Sequence, residues 1–94
     1  MVQPKNNETS KNVTIINEFG VHARSAAKIA EMAQHSNSKI WIIKDSVQVD
    51  AKSVIDILTL ACGKGTSITI KVDSRSDIEI LNGLVKLIED GFGE

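Results

Sequence analysis

Residues 66–73 alternate without interruption, with Ile68, Ile70 and Val72 on one side and Ser67, Thr69 and Lys71 on the other. A strand patterned in this way has one dry face and one wet face, so the sheet it joins is covered on a single side. The other segments fit around that constraint. Residues 12–18 (Asn-Val-Thr-Ile-Ile-Asn-Glu) are short and β-branched and read as a strand, broken by Phe19-Gly20-Val21. From His22 or Ala23 to about His35, Ala26, Ile29, Ala30 and Ala33 recur at helical spacing, and Ser36-Asn37-Ser38 supplies the stop. Residues 39–44 and 47–50 read as two strands joined at Asp45-Ser46, a short connection that favours an antiparallel hairpin.

A short helix is expected from Ser53 to about Ala61, with Val54, Ile55, Leu58 and Ala61 apolar and Gly63-Lys64-Gly65 ending it. Ser76-Asp77-Ile78-Glu79 has the form of a capping box. Behind it, Ile78, Leu81, Leu84, Val85 and Ile88 make a helical stripe that runs to about Asp90 and closes at Gly91. The predicted order is β-α-β-β-α-β-α. The fold class is α+β, a two-layer sandwich with one sheet and its helices on one face.

A chain of 94 residues supports one domain and one modest core. Eleven basic and twelve acidic residues leave a net charge of -1, and aromatics are 3% of the chain. Neither a basic field nor a base-stacking surface is present, which argues against a nucleic-acid-binding domain. Residues 1–11, polar and holding the only proline at Pro4, are expected to form a flexible tail ahead of a single domain at 12–94. They lack the apolar stretch of a signal peptide, and no run approaches a membrane span of roughly 20 apolar residues. The lone Cys62 has no partner for a disulfide or a zinc site and reads as a small buried hydrophobe; its solitude points to the cytoplasm.

The chemistry concentrates in residues 20–27, Gly-Val-His-Ala-Arg-Ser-Ala-Ala. Here a histidine stands where a loop becomes a helix. The unpaired amides of Ala23 and Arg24 at that helix start can bind an anion, and the positive end of the dipole favours a neutral His22 near pH 7. A neutral imidazole has a lone pair for nucleophilic attack, and Arg24 offers a planar fork of donors to phosphate oxygens. His35 reads as a cap on the negative end of the first helix, and Trp41, between isoleucines, as a packing residue. Ser53 reads as an N-cap, with Asp56 in the glutamate position of a capping box. A helix of about two turns cannot bury all of Val54, Ile55 and Leu58, so some of this cluster faces outward as a candidate partner surface, Ile55 first and Leu58 second.

The segment Gly20-Val21-His22-Ala23-Arg24, followed by Ala26-Ala27, resembles the active-site motif of the HPr family, the histidine-containing phosphocarriers of the bacterial phosphotransferase system. The resemblance continues through Ala51-Lys52-Ser53-Val54-Ile55, Leu58-Thr59-Leu60 and Lys64-Gly65, and spans about residues 12–92. It implies an open-faced β-sandwich with a four-stranded antiparallel sheet and three helices on one face. It further implies a cytoplasmic monomer without metal or cofactor, which is a substrate of other enzymes and has no turnover of its own. His22 would take phosphate on Nδ1 from enzyme I and pass it to an enzyme IIA-type protein, with Arg24 and the amides of Ala23 and Arg24 stabilising the group. Val54, Ile55 and Leu58 would dock partners, and Ser53 would be the position that an HPr kinase phosphorylates in part of the family.

Two residues depart from the pattern. Ser25 replaces the family's proline, restoring an N–H and a hydroxyl at small cost to the first turn. Asp56 places a negative charge one turn from Ser53, which should hinder that kinase. Together they are the only support for the alternative, a regulatory binding module with impaired transfer. The ending Leu87-Ile88-Glu89-Asp90-Gly91-Phe92 resembles that of the nitrogen-related NPr branch, but it leaves both that branch and sugar uptake open.

Overall fold

The computed structural model describes residues 9–94. Strand β1 (Ser10–Thr14) leads to helix α1 (Ala23–Ala33), then to strands β2 (Ile40–Lys44) and β3 (Val47–Asp50), helix α2 (Val54–Thr59), strand β4 (Ser67–Val72) and helix α3 (Ile78–Glu89). The sheet order is β1-β4-β2-β3 and every pairing is antiparallel. The expected element order and the single four-stranded sheet are both present.

The alternation in β4 organises the packing. Ile68, Ile70 and Val72 point inward with Val13, Ile40 and Ile42 of the neighbouring strands. Ala26, Ile29, Ala30 and Ala33 of α1 and Leu81, Leu84 and Ile88 of α3 complete the same core. Helix α3 lies over β1 and β4, α1 lies against α2 and α3, and α2 meets β3. On the opposite side of the sheet the side chains pair with one another: Thr69 donates to Asn12 at 2.7 Å, and Thr14 lies 3.3 Å from Ser67. Trp41 belongs to this outer side, where its indole N–H donates to Asp73 at 3.0 Å and the Lys39 ammonium stands 5.6 Å from the ring centre. In the β2–β3 hairpin, Asp45 and Ser46 both have positive φ, the backbone sense that matches the twist of a two-residue loop.

Four details differ from the sequence reading. Strand β1 starts at Ser10, so the expected tail cannot extend to Lys11: Ser10 pairs with Lys71 and Lys11 with Ile70. Ladder hydrogen bonds use the backbone alone, and a polar Ser-Lys pair gives no apolar signal of them. Residues 1–8, the rest of that tail, lie outside the described residues. The strand also ends early, at Thr14, because the chain then bends into a turn in which Gly20 N–H donates to Asn17 C=O at 3.0 Å.

In α2 the residue that anchors the helix is Ile57, followed by Leu60 just after it, while Ala61 is exposed with φ of 52°. Cys62 is buried as expected, and burial pushes its thiol pKa up, opposed in part by the Lys44 ammonium.

The capping box at residues 76–79 does not form. A short 3-10 turn (Arg75–Asp77) precedes α3, and its cap is Ser74, whose hydroxyl accepts from Ser76 N–H at 3.2 Å. Asp77 is buried and turned away from its own helix. Its carboxylate accepts from the N–H groups of Asn37 and Ser38 at 2.8 and 2.9 Å and from the Ser38 hydroxyl at 2.6 Å. It thereby ties the loop after α1 to the start of α3, a tertiary demand that outcompetes the local cap. Burial acts to raise the Asp77 pKa, but these hydrogen bonds, with a smaller contribution from Lys52, outweigh it and hold the carboxyl below its ordinary value.

A carboxyl whose folded pKa is depressed contributes stability above its unfolded pKa, about 4, and loses it as the pH falls through the folded value. Asp77→Ala should therefore cost about 1–3 kcal/mol at pH 7, since the partly buried amides of Asn37 and Ser38 and the Ser38 hydroxyl lose their acceptor. The gap from wild type should narrow in acid. Urea unfolding between neutral pH and about pH 2 measures both quantities, and a pH-independent gap would contradict the assignment.

Candidate functional site

The connection between β1 and α1 builds the site. The Asn17 side chain donates to Gly20 C=O while Gly20 N–H donates back to Asn17 C=O, closing a tight turn. Gly20 has φ of 66°, and a Cβ placed there would stand 2.4 Å from the Cys62 carbonyl oxygen. Immediately afterwards Val21 N–H donates to that same oxygen at 2.8 Å. Glycine is required at this point because two backbones touch. The contact joins the segment after α2 to the segment before α1.

His22 follows as the N-cap of α1 in an extended conformation, and its C=O accepts from Ala26 N–H at 2.8 Å. Ser25 occupies the third helical position and is fully buried. Its hydroxyl accepts from His22 N–H at 2.9 Å and donates to His22 C=O at 3.1 Å. The sequence reading counted Ser25 as a small loss of order; the structure shows its hydroxyl clasping the histidine backbone. Ala23 and Arg24 are the first two residues of α1, where amides have no partner within the helix. Both are exposed, and among the described residues Arg24 takes part in no ion pair.

His22, Ala23 and Arg24 line an open hollow of about 870 Å³ together with Ile16, Phe19 and Glu94. Phe19 is 83% exposed at its rim. The Glu94 carboxylate reaches His22, with 3.1 Å between Oε2 and Nε2. Asn17, Phe19 and Glu94 were not foreseen. Asn17 and Phe19 lie in and beside a segment that reads as plain strand, and Glu94 is 72 residues from the histidine in sequence. No local pattern signals such a contact.

The second expected cluster lies elsewhere. Ser53 is the N-cap of α2 and accepts from Asp56 N–H at 3.2 Å. The return half of the box is missing, since Ser53 N–H donates instead to Asp50 C=O at 3.1 Å. Ile55 is 74% exposed and Leu58 37%, in the anticipated order, while Val54 packs partly on the core. None of these residues lines the hollow; α2 connects with it through the Cys62–Val21 hydrogen bond. His35 is exposed one residue beyond the end cap Gln34, and it closes the helix through its backbone N–H, which donates to Met32 C=O at 3.2 Å. Among the described residues no group of three His, Cys, Asp or Glu side chains could hold a metal, and no helix is long and apolar enough to cross a membrane.

A family model described as "PTS HPr component phosphorylation site" matches residues 9–90. The phosphocarrier protein HPr of Cupriavidus necator is 37% identical over 84 residues, covering 89% of this chain and 94% of its own. The crystal structure of HPr from Thermoanaerobacter tengcongensis superposes with a TM-score of 0.85 at 35% identity, covering 90% of this chain and 96% of its own. A dimer of HPr from the same organism gives 0.72 at 36% identity, with coverage of 87% and 94%.

The contact at Gly20 has a direct test. Gly20→Ala should cost about 2–4 kcal/mol, since it combines an unfavourable φ with a clash against backbone that no rotamer change relieves. Guanidinium unfolding measures the loss, and a cost below about 1 kcal/mol would show that the two segments can part freely.

Proposed function

This chain belongs to the HPr family, the phosphocarriers of the phosphotransferase system, and on that basis we propose that His22 is the residue on which it carries phosphate. As a family member it is a phosphoryl carrier acted on by other enzymes, without turnover of its own. The observation that supports the assignment to His22 is its place as N-cap of α1, with Arg24 and the helix-start amides of Ala23 and Arg24 beside it at the hollow.

In this reading phosphorylated enzyme I supplies the group and an enzyme IIA-type protein accepts it, in sugar uptake or in nitrogen-related regulation. Nδ1 of His22 attacks the phosphorus. The Arg24 guanidinium and the N–H groups of Ala23 and Arg24 face the oxygens, supplying charge-assisted bonds at a helix N-terminus. The exposed Ile55 and Leu58, with Val54 behind them, form the apolar surface on which partners dock. The cytoplasm is the compartment that this exchange of phosphate requires.

Ser53 is a second, regulatory position for a kinase of the HPr kinase type. Its hydroxyl is half-buried and engaged in capping, and Asp56 sits in the same first turn. A phosphate there would add roughly −1.5 to −2 charge at a helix start, compatible with the fold and repulsive to an acidic partner.

Incubation with enzyme I and phosphoenolpyruvate, read by intact mass, tests the central assignment. The wild type should gain one phosphoryl group in a linkage labile to acid and stable to base. His22→Ala should gain none while keeping a native circular dichroism spectrum; uptake by that variant would move the site elsewhere.

Arg24→Ala should still be phosphorylated, since the backbone amides remain, but single-turnover transfer should slow by about 10²–10³-fold, as loss of one preorganised donor commonly does. An unchanged rate would remove the guanidinium from the phosphate site.

A further inference from the structure

Three carboxylates border the hollow at His22: Glu18, Asp90 and Glu94. Glu18 pairs with Lys64 at 3.7 Å and Asp90 with Lys86 at 4.0 Å. Glu94 faces the histidine. Its Oε2 lies 3.1 Å from His22 Nε2, and its Oε1 lies 3.4 Å both from that nitrogen and from Asn17 Nδ2. The two side chains are partly shielded, 38% exposed for His22 and 25% for Glu94.

The approach of Glu94 depends on a specific turn. Gly91, Phe92 and Gly93 all have positive φ, at 64°, 61° and 76°. For phenylalanine this is a strained conformation, kept only where the surroundings enforce it. Here the Phe92 side chain is fully buried in the core, and its C=O accepts from Lys28 Nζ of α1 at 2.7 Å. The same helix that begins at His22 therefore holds the turn that aims Glu94 back at His22.

We propose that Glu94 is a positioning residue for His22, holding the ring proton on Nε2 so that the lone pair stays on Nδ1. An ionised carboxylate can only accept a hydrogen bond, and the partner of one imidazole nitrogen determines which nitrogen carries the proton. The inference rests on the reading of His22 as the phosphate-bearing residue. In the transfer step the Nδ1 lone pair forms the N–P bond, and the bond from phosphorus to enzyme I breaks with its electron pair remaining on enzyme I. The Nε2 proton stays in place. The ring thereby becomes cationic opposite the Glu94 carboxylate, with Arg24 on the phosphate side. Onward transfer returns the pair to Nδ1 and leaves the proton where it was.

Glu94→Gln and Glu94→Ala test this. Glutamine keeps the shape but can also donate through its amide, so it no longer imposes one tautomer; alanine removes the contact. The ¹⁵N shifts of His22 in the free protein at about pH 9, well above the ordinary histidine pKa of about 6.5, report the tautomer without any partner. In both variants the Nδ1–H form should rise from a minor to a substantial population. Single-turnover phosphorylation by enzyme I and phosphoenolpyruvate should slow roughly tenfold, the scale on which residues that orient a reactive imidazole act. The melting temperature should stay unchanged.

An unaltered tautomer in both variants, or a rate within about twofold of wild type, overturns the proposal. A lowered melting temperature with unaltered ¹⁵N shifts would assign Glu94 a structural role and overturn it equally. If wild type took no phosphate at all, the assignment of His22 would fail, while the ¹⁵N spectra would still decide the Glu94 contact.

Discussion

The carbonyl oxygen of Cys62 is the point on which the site depends. Val21 N–H donates to it at 2.8 Å, and the approach is so close that residue 20 has no space for a Cβ. On one side of this contact is the segment that ends α2, whose Leu60 and Ala61 carbonyls accept from Lys44 Nζ of β2 at 2.8 and 3.2 Å. On the other side is the turn that delivers His22 to the N-cap of α1. The start of α1 is thus referenced through hydrogen bonds to the sheet, so a histidine on a loop inherits the rigidity of β2.

The one-sided sheet explains how a site can stay open on a small protein. Helices α1 and α3 cover the inner face and supply the buried surface, while the outer face carries hydroxyl and amide pairs such as Thr69–Asn12. Residues next to the elements, Ile15, Leu60, Cys62 and Phe92, complete that core, and the loop that carries His22 stays outside it. At the N-terminus of α1 the Ser25 hydroxyl pairs with the backbone of His22, and among the described residues the amides of Ala23 and Arg24 have no hydrogen-bond partner. A member of the HPr family carries phosphate between proteins, and a half-covered histidine on a fixed helix end would suit the role proposed for His22.

Much of this was legible in the residues. Ile68, Ile70 and Val72 placed β4 and its buried face; Ala26, Ile29 and Ala33 placed α1; the histidine and arginine at the loop-to-helix boundary marked the candidate site. What escaped had no period to reveal it. Ser10 and Lys11 pair through backbone alone. Asp77 sits in a sequence that satisfies the capping-box pattern, yet it serves Asn37 and Ser38, some 40 positions earlier. Ile57 anchors α2 although Val54, Ile55 and Leu58 fit a helical stripe equally well, because a six-residue helix is too short for periodicity to select a buried face.

By itself the sequence determined the element order, the face that each long element buries and the identity of the chemical motif. These follow from side-chain periodicity and from residue types that act on their immediate neighbours. Only the tertiary structure decided what surrounds His22: the glycine pressed on the Cys62 carbonyl, the serine hydroxyl folded onto the helix start, and the Glu94 carboxylate returned by a left-handed turn at Phe92. Each depends on distances between segments remote in the chain. Such distances are set by how the core packs, and packing is a property of all the residues together rather than of any window along them.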